Sequence, residues 1–108
     1  MDNNFFNLFD EIRNENTTRV KELLANNPLW LNKYMYGVTP LMYCIECKNE
    51  QLTLDLLDQV DLLSKLDLNL RDNLEMSYMQ KAIENGLNKI VEALCRKVSR
   101  RDSLNEIL

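Results

Sequence analysis

The stretch Gly37-Val38-Thr39-Pro40-Leu41-Met42 carries the strongest local structural signal in the chain. Gly37 can adopt the positive φ that a tight turn requires. Thr39 is a favourable helix N-cap, and Pro40 stands at the first helical position, where its missing N–H is not needed. The stretch therefore predicts a turn that leads directly into a helix.

Apolar residues at helical spacing recur on both sides of this turn, and they fall into columns. The columns are Leu8, Leu41 and Met79; Ile12, Ile45 and Ile83; and Leu23, Leu56 and Leu94. In each column the second residue follows the first by 33 positions, and the third follows the second by 38. Such offsets indicate stacked units, each made of a short helix, a polar break and a second helix. A five-residue insertion within 58–66 accounts for the longer step.

This period and turn resemble the ankyrin repeat, whose units begin with the pattern Gly-x-Thr-Pro-Leu-His. A second stretch, Asp72 to Cys95, follows the family at several positions. Asp72 stands at the family's turn aspartate and Gly86 at its inter-helix glycine. Ser77 replaces the family's Thr and can form a capping box with Gln80. The resemblance covers roughly residues 6–97.

The chain also departs from the family pattern. Met42 and Gln80 replace the usual His, and Glu15 and Lys48 replace the inter-helix Gly. The first unit lacks the Thr-Pro-Leu-His turn and is therefore similar to an N-terminal cap. A terminal unit needs a polar outer face. Its first helix offers Asp10, Glu11, Arg13 and Asn14 for that face.

The expected fold class is all-α, an ankyrin-like helical solenoid of about three helix-turn-helix units plus a short C-terminal helix. The chain of 108 residues leaves room for one domain, 1–108. The predicted units are 5–33, 34–70 and 71–97, followed by a helix in 98–108 that opens with a capping box from Ser103 to Glu106. Only 2 Gly and 2 Pro are present, which is too few turn residues for a β-sandwich of this length.

Residue types that carry catalysis are scarce. The chain has no histidine, the commonest general base and metal ligand. Its two glycines lie too far apart for a phosphate-binding loop. Cys44 and Cys47 form a Cys-x-x-Cys pair inside a predicted helix, and the resemblance places Cys44 and Cys95 at buried positions. We therefore expect buried or half-buried thiols, no enzyme activity, no cofactor and no metal.

Charge and hydropathy limit the partners. The net charge is −4, and the one basic cluster is Arg96, Lys97, Arg100 and Arg101, so nucleic-acid binding is not expected. No apolar run is long enough to span a membrane, and no signal peptide is visible. An odd count of three cysteines favours a reducing compartment. We expect a cytoplasmic protein, or one in the host cytosol if it is a secreted effector.

The resemblance implies that turn tips and first helices line a concave binding surface. Mapped by position, the partner-binding residues are Tyr34, Met35, Tyr36, Val38, Tyr43, Glu46, Cys47, Leu74, Glu75, Met76, Lys81 and Glu84. Aromatic and Met side chains are enriched in interface centres. We expect Tyr36 and Met76 to be exposed and to contact the partner. The alternative is that Tyr34 or Met35 packs back onto Trp30 and the first helix.

The expected function is a protein–protein interaction module, an adaptor or regulator that binds one protein partner on its concave face. An Asn-, Lys- and Leu-rich composition fits a bacterial effector or a viral protein acting in a host cell. One alternative is an immunity or antitoxin-type inhibitor of an enzyme. Another is the N-terminal part of a longer scaffold solenoid, with Leu104, Ile107 and Leu108 packed on a next repeat. The expected state is a monomer or a weak homo-oligomer.

Overall fold

The computed structural model describes the backbone of residues 3–59 and 66–102 and the side chains of 5–59 and 66–97. These ranges are mostly helical and contain no strand, which confirms the all-α class. Six helices occur there: α1 Asn3–Arg13, α2 Thr17–Asn26, α3 Pro40–Glu46, α4 Glu50–Asp58, α5 Tyr78–Glu84 and α6 Asn88–Asp102. A short 3₁₀ helix, Pro28–Asn32, follows α2.

The helices contact one another in pairs and in series. α1 contacts α2, α3 contacts α4, and α5 contacts α6. The first helices of the pairs also contact in order, α1 with α3 and α3 with α5, while α4 contacts α6. Lys21 of α2 and Asp55 of α4 form an ion pair at 3.2 Å. Each pair therefore buries its apolar side against its neighbours.

The helix boundaries repeat the offsets of the apolar columns. The first helices end at Arg13, Glu46 and Glu84, and the second helices begin at Thr17, Glu50 and Asn88. Both series step by 33 residues and then by 38. The longer step falls between α4 and α5, where residues 60–65 lie outside the described ranges. Most of the predicted insertion within 58–66 therefore lies outside them as well.

The turn between the paired helices has the same backbone conformation in all three pairs. Glu15, Lys48 and Gly86 have φ of 61°, 58° and 70°. This left-handed conformation costs a residue with a Cβ roughly 1–2 kcal/mol, whereas glycine adopts it freely. The turn geometry is therefore retained at Glu15 and Lys48, with local strain.

The predicted helix starts at Thr39 and Ser77 are confirmed. The Ser77 N–H donates to Gln80 Oε1 at 2.8 Å, and the Gln80 N–H donates to Ser77 Oγ at 3.1 Å, which completes a capping box. At the other start the Met42 N–H donates to Thr39 Oγ1, and the Thr39 N–H donates to Met42 Sδ. Thr39 Oγ1 also hydrogen-bonds the hydroxyl of buried Tyr78 at 2.7 Å. The cap of α3 is thus joined inside the core to the first residue of α5.

Ile83, a member of an apolar column, and Cys95, which the resemblance places at a buried position, are exposed instead. Ile12 and Ile45 are fully buried, but Ile83, in the same column, is 59% exposed. α1 is followed by α3 and α3 by α5, whereas no further first helix follows α5 in the described ranges. Cys95 is also exposed, although Cys44 is buried.

The last helix is longer than the sequence indicated. α6 runs without a break to Asp102, so no separate helix begins at residue 98. Arg96 to Arg101 contains no Gly or Pro, and Arg and Lys are good helix formers, so nothing ends the helix at the predicted boundary. The predicted capping box from Ser103 lies outside the described residues.

The strained turns give a stability prediction. Replacing Lys48 with glycine should raise the free energy of unfolding by about 0.5–1 kcal/mol, because the Cβ penalty at positive φ disappears. Gly86→Ala is the matched control and should lower it by about 1 kcal/mol, since an added Cβ there meets nothing within 4 Å and only the φ penalty acts. Urea denaturation measures both. A destabilised Lys48→Gly variant would contradict the expectation.

Candidate partner-binding site

A cleft of about 410 Å³ opens beside α1, α3 and the turn that precedes α3. The lining residues are Phe6, Phe9, Asp10, Arg13, Met35, Tyr36, Val38, Tyr43, Glu46 and Asn73. Clefts of roughly 300–1,000 Å³ with apolar walls and a few polar groups are typical binding sites. This one can admit one or two side chains of a partner.

The turn at one wall of the cleft is a tight hairpin. The Met35 N–H donates to the Val38 carbonyl at 2.8 Å, and the Val38 N–H donates back to the Met35 carbonyl at 3.2 Å. Tyr36 and Gly37 between them have φ of 56° and 84°. Positive φ at both central residues is the signature of a type I′ turn. This geometry leaves the Tyr36 side chain 87% exposed at the tip.

Gly37 also allows the next turn to approach closely. The Asn73 N–H donates to the Gly37 carbonyl at 2.9 Å. A Cβ at Gly37 would lie 2.5 Å from Asn73 Cγ, well inside van der Waals contact. The turn before α5 is therefore docked on the turn before α3, which places Asn73 at the edge of the cleft.

The aromatic rings of Phe9 on α1 and Tyr43 on α3 also line the cleft. The Phe9 and Tyr43 rings lie 5.2 Å apart, and Phe9 makes an edge-to-face contact with Phe5 at 5.3 Å. Phe5 in turn contacts Trp30 at 5.5 Å. Such contacts fix ring positions more firmly than apolar burial alone. The wall is therefore rigid on the side of α1 and α3, and exposed Phe6 stands beside it.

Two opposite charges at the cleft, those of Arg13 and Asp10, form an ion pair within α1. Arg13 donates to the Asp10 carboxylate one helical turn away, and both side chains are more than half exposed. The Tyr43 hydroxyl, followed by Asp10, raises the pKa of Arg13. The guanidinium therefore remains charged and is already partnered.

A second charged group links the cleft to the turn before α5. Lys81 Nζ donates to Asp72 Oδ2 at 2.8 Å and to Glu46 Oε2 at 2.6 Å. The side chains of Lys81 and Asp72 are 6% and 2% exposed, whereas that of Glu46 is 39% exposed. The prediction that Lys81 is an exposed contact residue is wrong, because these two carboxylates hold its ammonium below the surface.

Hydrogen bonds stabilise the charged forms in this triad. Burial alone would raise the pKa of Asp72, but the bonds from Lys81 and from the N–H groups of Met76 and Leu74 outweigh it, and the pKa lies below its usual value. Burial alone would lower the pKa of Lys81, but the bonds to Asp72 and Glu46 raise it. One buried cation therefore faces two carboxylates.

The cleft brings together five of the twelve predicted contact residues. They are Met35, Tyr36, Val38, Tyr43 and Glu46. Another five are exposed but do not line it: Tyr34, Cys47, Leu74, Glu75 and Glu84. Met76 is half-buried, so the expectation of full exposure holds for Tyr36 and is only partly met at Met76. Rather than packing inward, the Tyr34 hydroxyl donates to the Arg71 carbonyl.

The sequence prediction missed the contribution of α1. Phe6, Phe9, Asp10 and Arg13 of α1 line the cleft, although the first helix had been assigned a polar outer face. The sequence contained a pattern that indicates this contribution of α1. Phe5, Leu8, Phe9 and Ile12 form a helical core stripe, and the adjacent Phe6 falls outside it. An aromatic residue off the core stripe of a terminal helix is a candidate surface anchor.

The thiols and carboxylates of the described ranges offer no metal cluster. Cys44, Cys47 and Cys95 are free, and no group of three His, Cys, Asp or Glu side chains in these ranges is placed to hold a metal ion. Burial raises the pKa of Cys44 and, more than any other cause, that of Cys47. Both thiols are therefore protonated at neutral pH.

Comparison with known protein families, curated proteins and solved structures finds no match to this chain. Among the described helices, none combines the length and the apolar character needed to cross a membrane.

The buried triad can be tested by a double-mutant cycle. Lys81→Met should lower the free energy of unfolding by about 3–5 kcal/mol, because it leaves the buried Asp72 carboxylate without its cation. The double variant, Lys81→Met with Asp72→Asn, should lose less free energy of unfolding than the two single variants lose in sum. Lys89→Met, on the exposed side of α6, is the control and should change little. Additive effects in urea denaturation would contradict the pairing.

The same triad predicts a dependence of stability on pH. A lowered pKa in the folded state means that Asp72 contributes stability above its unfolded pKa of about 3.9. That contribution disappears as the pH falls through the lower, folded value. Wild type should therefore lose stability more steeply below about pH 4 than Asp72→Asn. Parallel slopes in acid unfolding curves would exclude this role for Asp72.

Proposed function

We propose that this protein is an ankyrin-like helical solenoid of three units that binds one protein partner at the cleft beside α1, α3 and the turn before α3. The observation that carries the proposal is Tyr36, which stands 87% exposed on a rigid type I′ turn at the edge of an apolar cleft. An exposed aromatic side chain on a fixed backbone is the kind of anchor that dominates protein interfaces.

The repeat arrangement is supported by features that recur at the same offsets. Helix ends, helix starts and left-handed inter-helix turns all step by 33 and then 38 residues. The units of the proposal are 5–33, 34–70 and 71–97. In this arrangement the turns before α3 and α5 lie side by side, as the hydrogen bond between Asn73 and Gly37 indicates. A partner would then contact turns and first helices together.

Exposed apolar side chains favour a protein as the ligand. Phe6, Tyr36 and Leu74 are each more than half exposed. Phe6 and Tyr36 line the cleft, and Leu74 lies in the next turn, one residue from Asn73. Rigid aromatic side chains bury a large area at a small cost in conformational entropy. An apolar group of a partner segment would cover Phe6 and Tyr36 and fill the space between them.

A second candidate function rests on a different observation. Ile83 is 59% exposed at the column position where Ile12 and Ile45 are buried. A further helical unit beyond α5 would cover it, as α3 follows α1 and α5 follows α3. This favours the scaffold alternative, in which the solenoid continues. An effector or viral protein, an immunity-type inhibitor and a cytoplasmic location remain predictions from composition and charge.

The binding proposal can be tested by affinity capture from the native cell lysate. The variant is Tyr36→Ser with Phe6→Ser, and the matched control is Leu29→Ser, an exposed leucine outside the cleft. Circular dichroism verifies that all three proteins are folded. A partner retained by wild type and the control should be lost by the double variant. With the purified partner, Kd should rise at least about tenfold.

Two other outcomes would redirect the assignment. Retention of the same partner by the folded double variant would exclude the cleft as its binding site. Loss of the partner in an Ile83→Ser variant, with normal binding by the cleft variant, would favour the scaffold function. A captured enzyme that is inhibited in the complex would support the immunity-type alternative over an adaptor.

A further inference from the structure

We infer that the cleft recognises a cationic apolar segment, in which one apolar side chain enters the cleft and a neighbouring Arg or Lys meets Glu46. This inference rests on the proposed function and names the chemistry of the partner. It follows from how the charges around the cleft are paired.

Glu46 has an unused acceptor. Its Oε2 accepts from Lys81, while Oε1 accepts no hydrogen bond within the described part of the chain. Its side chain is 39% exposed and lines the cleft. A carboxylate with one oxygen bonded and the other open toward a cleft is suited to a charge-assisted hydrogen bond from an incoming cation.

The buried triad leaves its negative charge at this position. Lys81 offsets one carboxylate, and two are present. The Asp72 carboxylate also accepts hydrogen bonds from the N–H groups of Leu74 and Met76, so its acceptor oxygens are satisfied inside the protein. The unbalanced charge therefore resides at Glu46, the member of the triad that reaches the surface.

The remaining charges do not cancel it. Arg13 is paired with Asp10, so the lining side chains carry a net charge of −1. This field attracts a cation and disfavours phosphate or carboxylate groups, which would have to displace Asp10 from Arg13.

The site is also rigid before binding. Lys81 holds the Glu46 carboxylate, and the Phe9 and Tyr43 rings pack against each other at an interplanar angle of 41°. A partner therefore does not have to order these groups, which reduces the entropic cost of association. The Tyr36 and Tyr43 rings offer faces on which a guanidinium could lie.

A random peptide library displayed on phage tests the chemistry without presupposing it. The library is selected against the intact protein, and selected peptides are resynthesised and their Kd measured. Three variants are compared with wild type: Tyr36→Ser reports on the cleft, Glu46→Gln on the proposed acceptor, and Glu92→Gln, an exposed carboxylate on α6, is the control. Glu46→Gln leaves the pair of Lys81 with Asp72 intact.

We expect the selected peptides to place Arg or Lys beside Leu, Met or an aromatic residue. Their Kd should rise at least about tenfold in Glu46→Gln, remain unchanged in Glu92→Gln, and rise with salt concentration. Peptides that depend on Tyr36 but lack a cation, or that ignore Glu46→Gln, would overturn the cationic chemistry and leave the binding function standing. Failure to select any peptide that depends on Tyr36 would overturn both.

Discussion

The ammonium of Lys81 connects three structural elements beside the cleft. It joins α5, which carries it, to Asp72 in the preceding turn and to Glu46 at the end of α3. A buried cation requires compensating carboxylates, so the positions of all three elements are fixed together. The turn before α5 is held by Asp72, and the cleft acquires its exposed carboxylate from the same arrangement. Packing of neighbouring units and the charge of the site thus have one common origin.

Local chemistry could be predicted from the sequence where neighbouring residues determine it. The caps at Thr39 and Ser77 and the positive φ of Gly37 depend on residues a few positions away. The 33- and 38-residue offsets of the apolar columns also recur in the helix boundaries, because apolar periodicity follows directly from helix geometry. The turn at Lys48 keeps a positive φ although the residue there is not glycine.

The site was less predictable, because it depends on contacts between distant residues. Position alone suggested that Lys81 is exposed. Its burial follows from two carboxylates, that of Asp72 in the preceding turn and that of Glu46 at the end of α3. Ile83 belongs to a column whose other two members are buried, yet it is exposed, and no further first helix follows α5 in the described ranges. The cleft wall on α1 arises only when α3 is placed beside it. A pattern within one unit cannot show what the next unit covers or leaves open.

The strained turns at Glu15 and Lys48 have a consequence for how this protein can change. Neither residue lines the cleft, and both hold a conformation that glycine would adopt without strain. Stability can therefore be gained at positions outside the cleft. Substitutions that reshape the cleft usually cost stability, and a lineage or a laboratory selection could offset that cost at the turns. The inter-helix turns are thus a source of additional stability that is physically separate from the cleft.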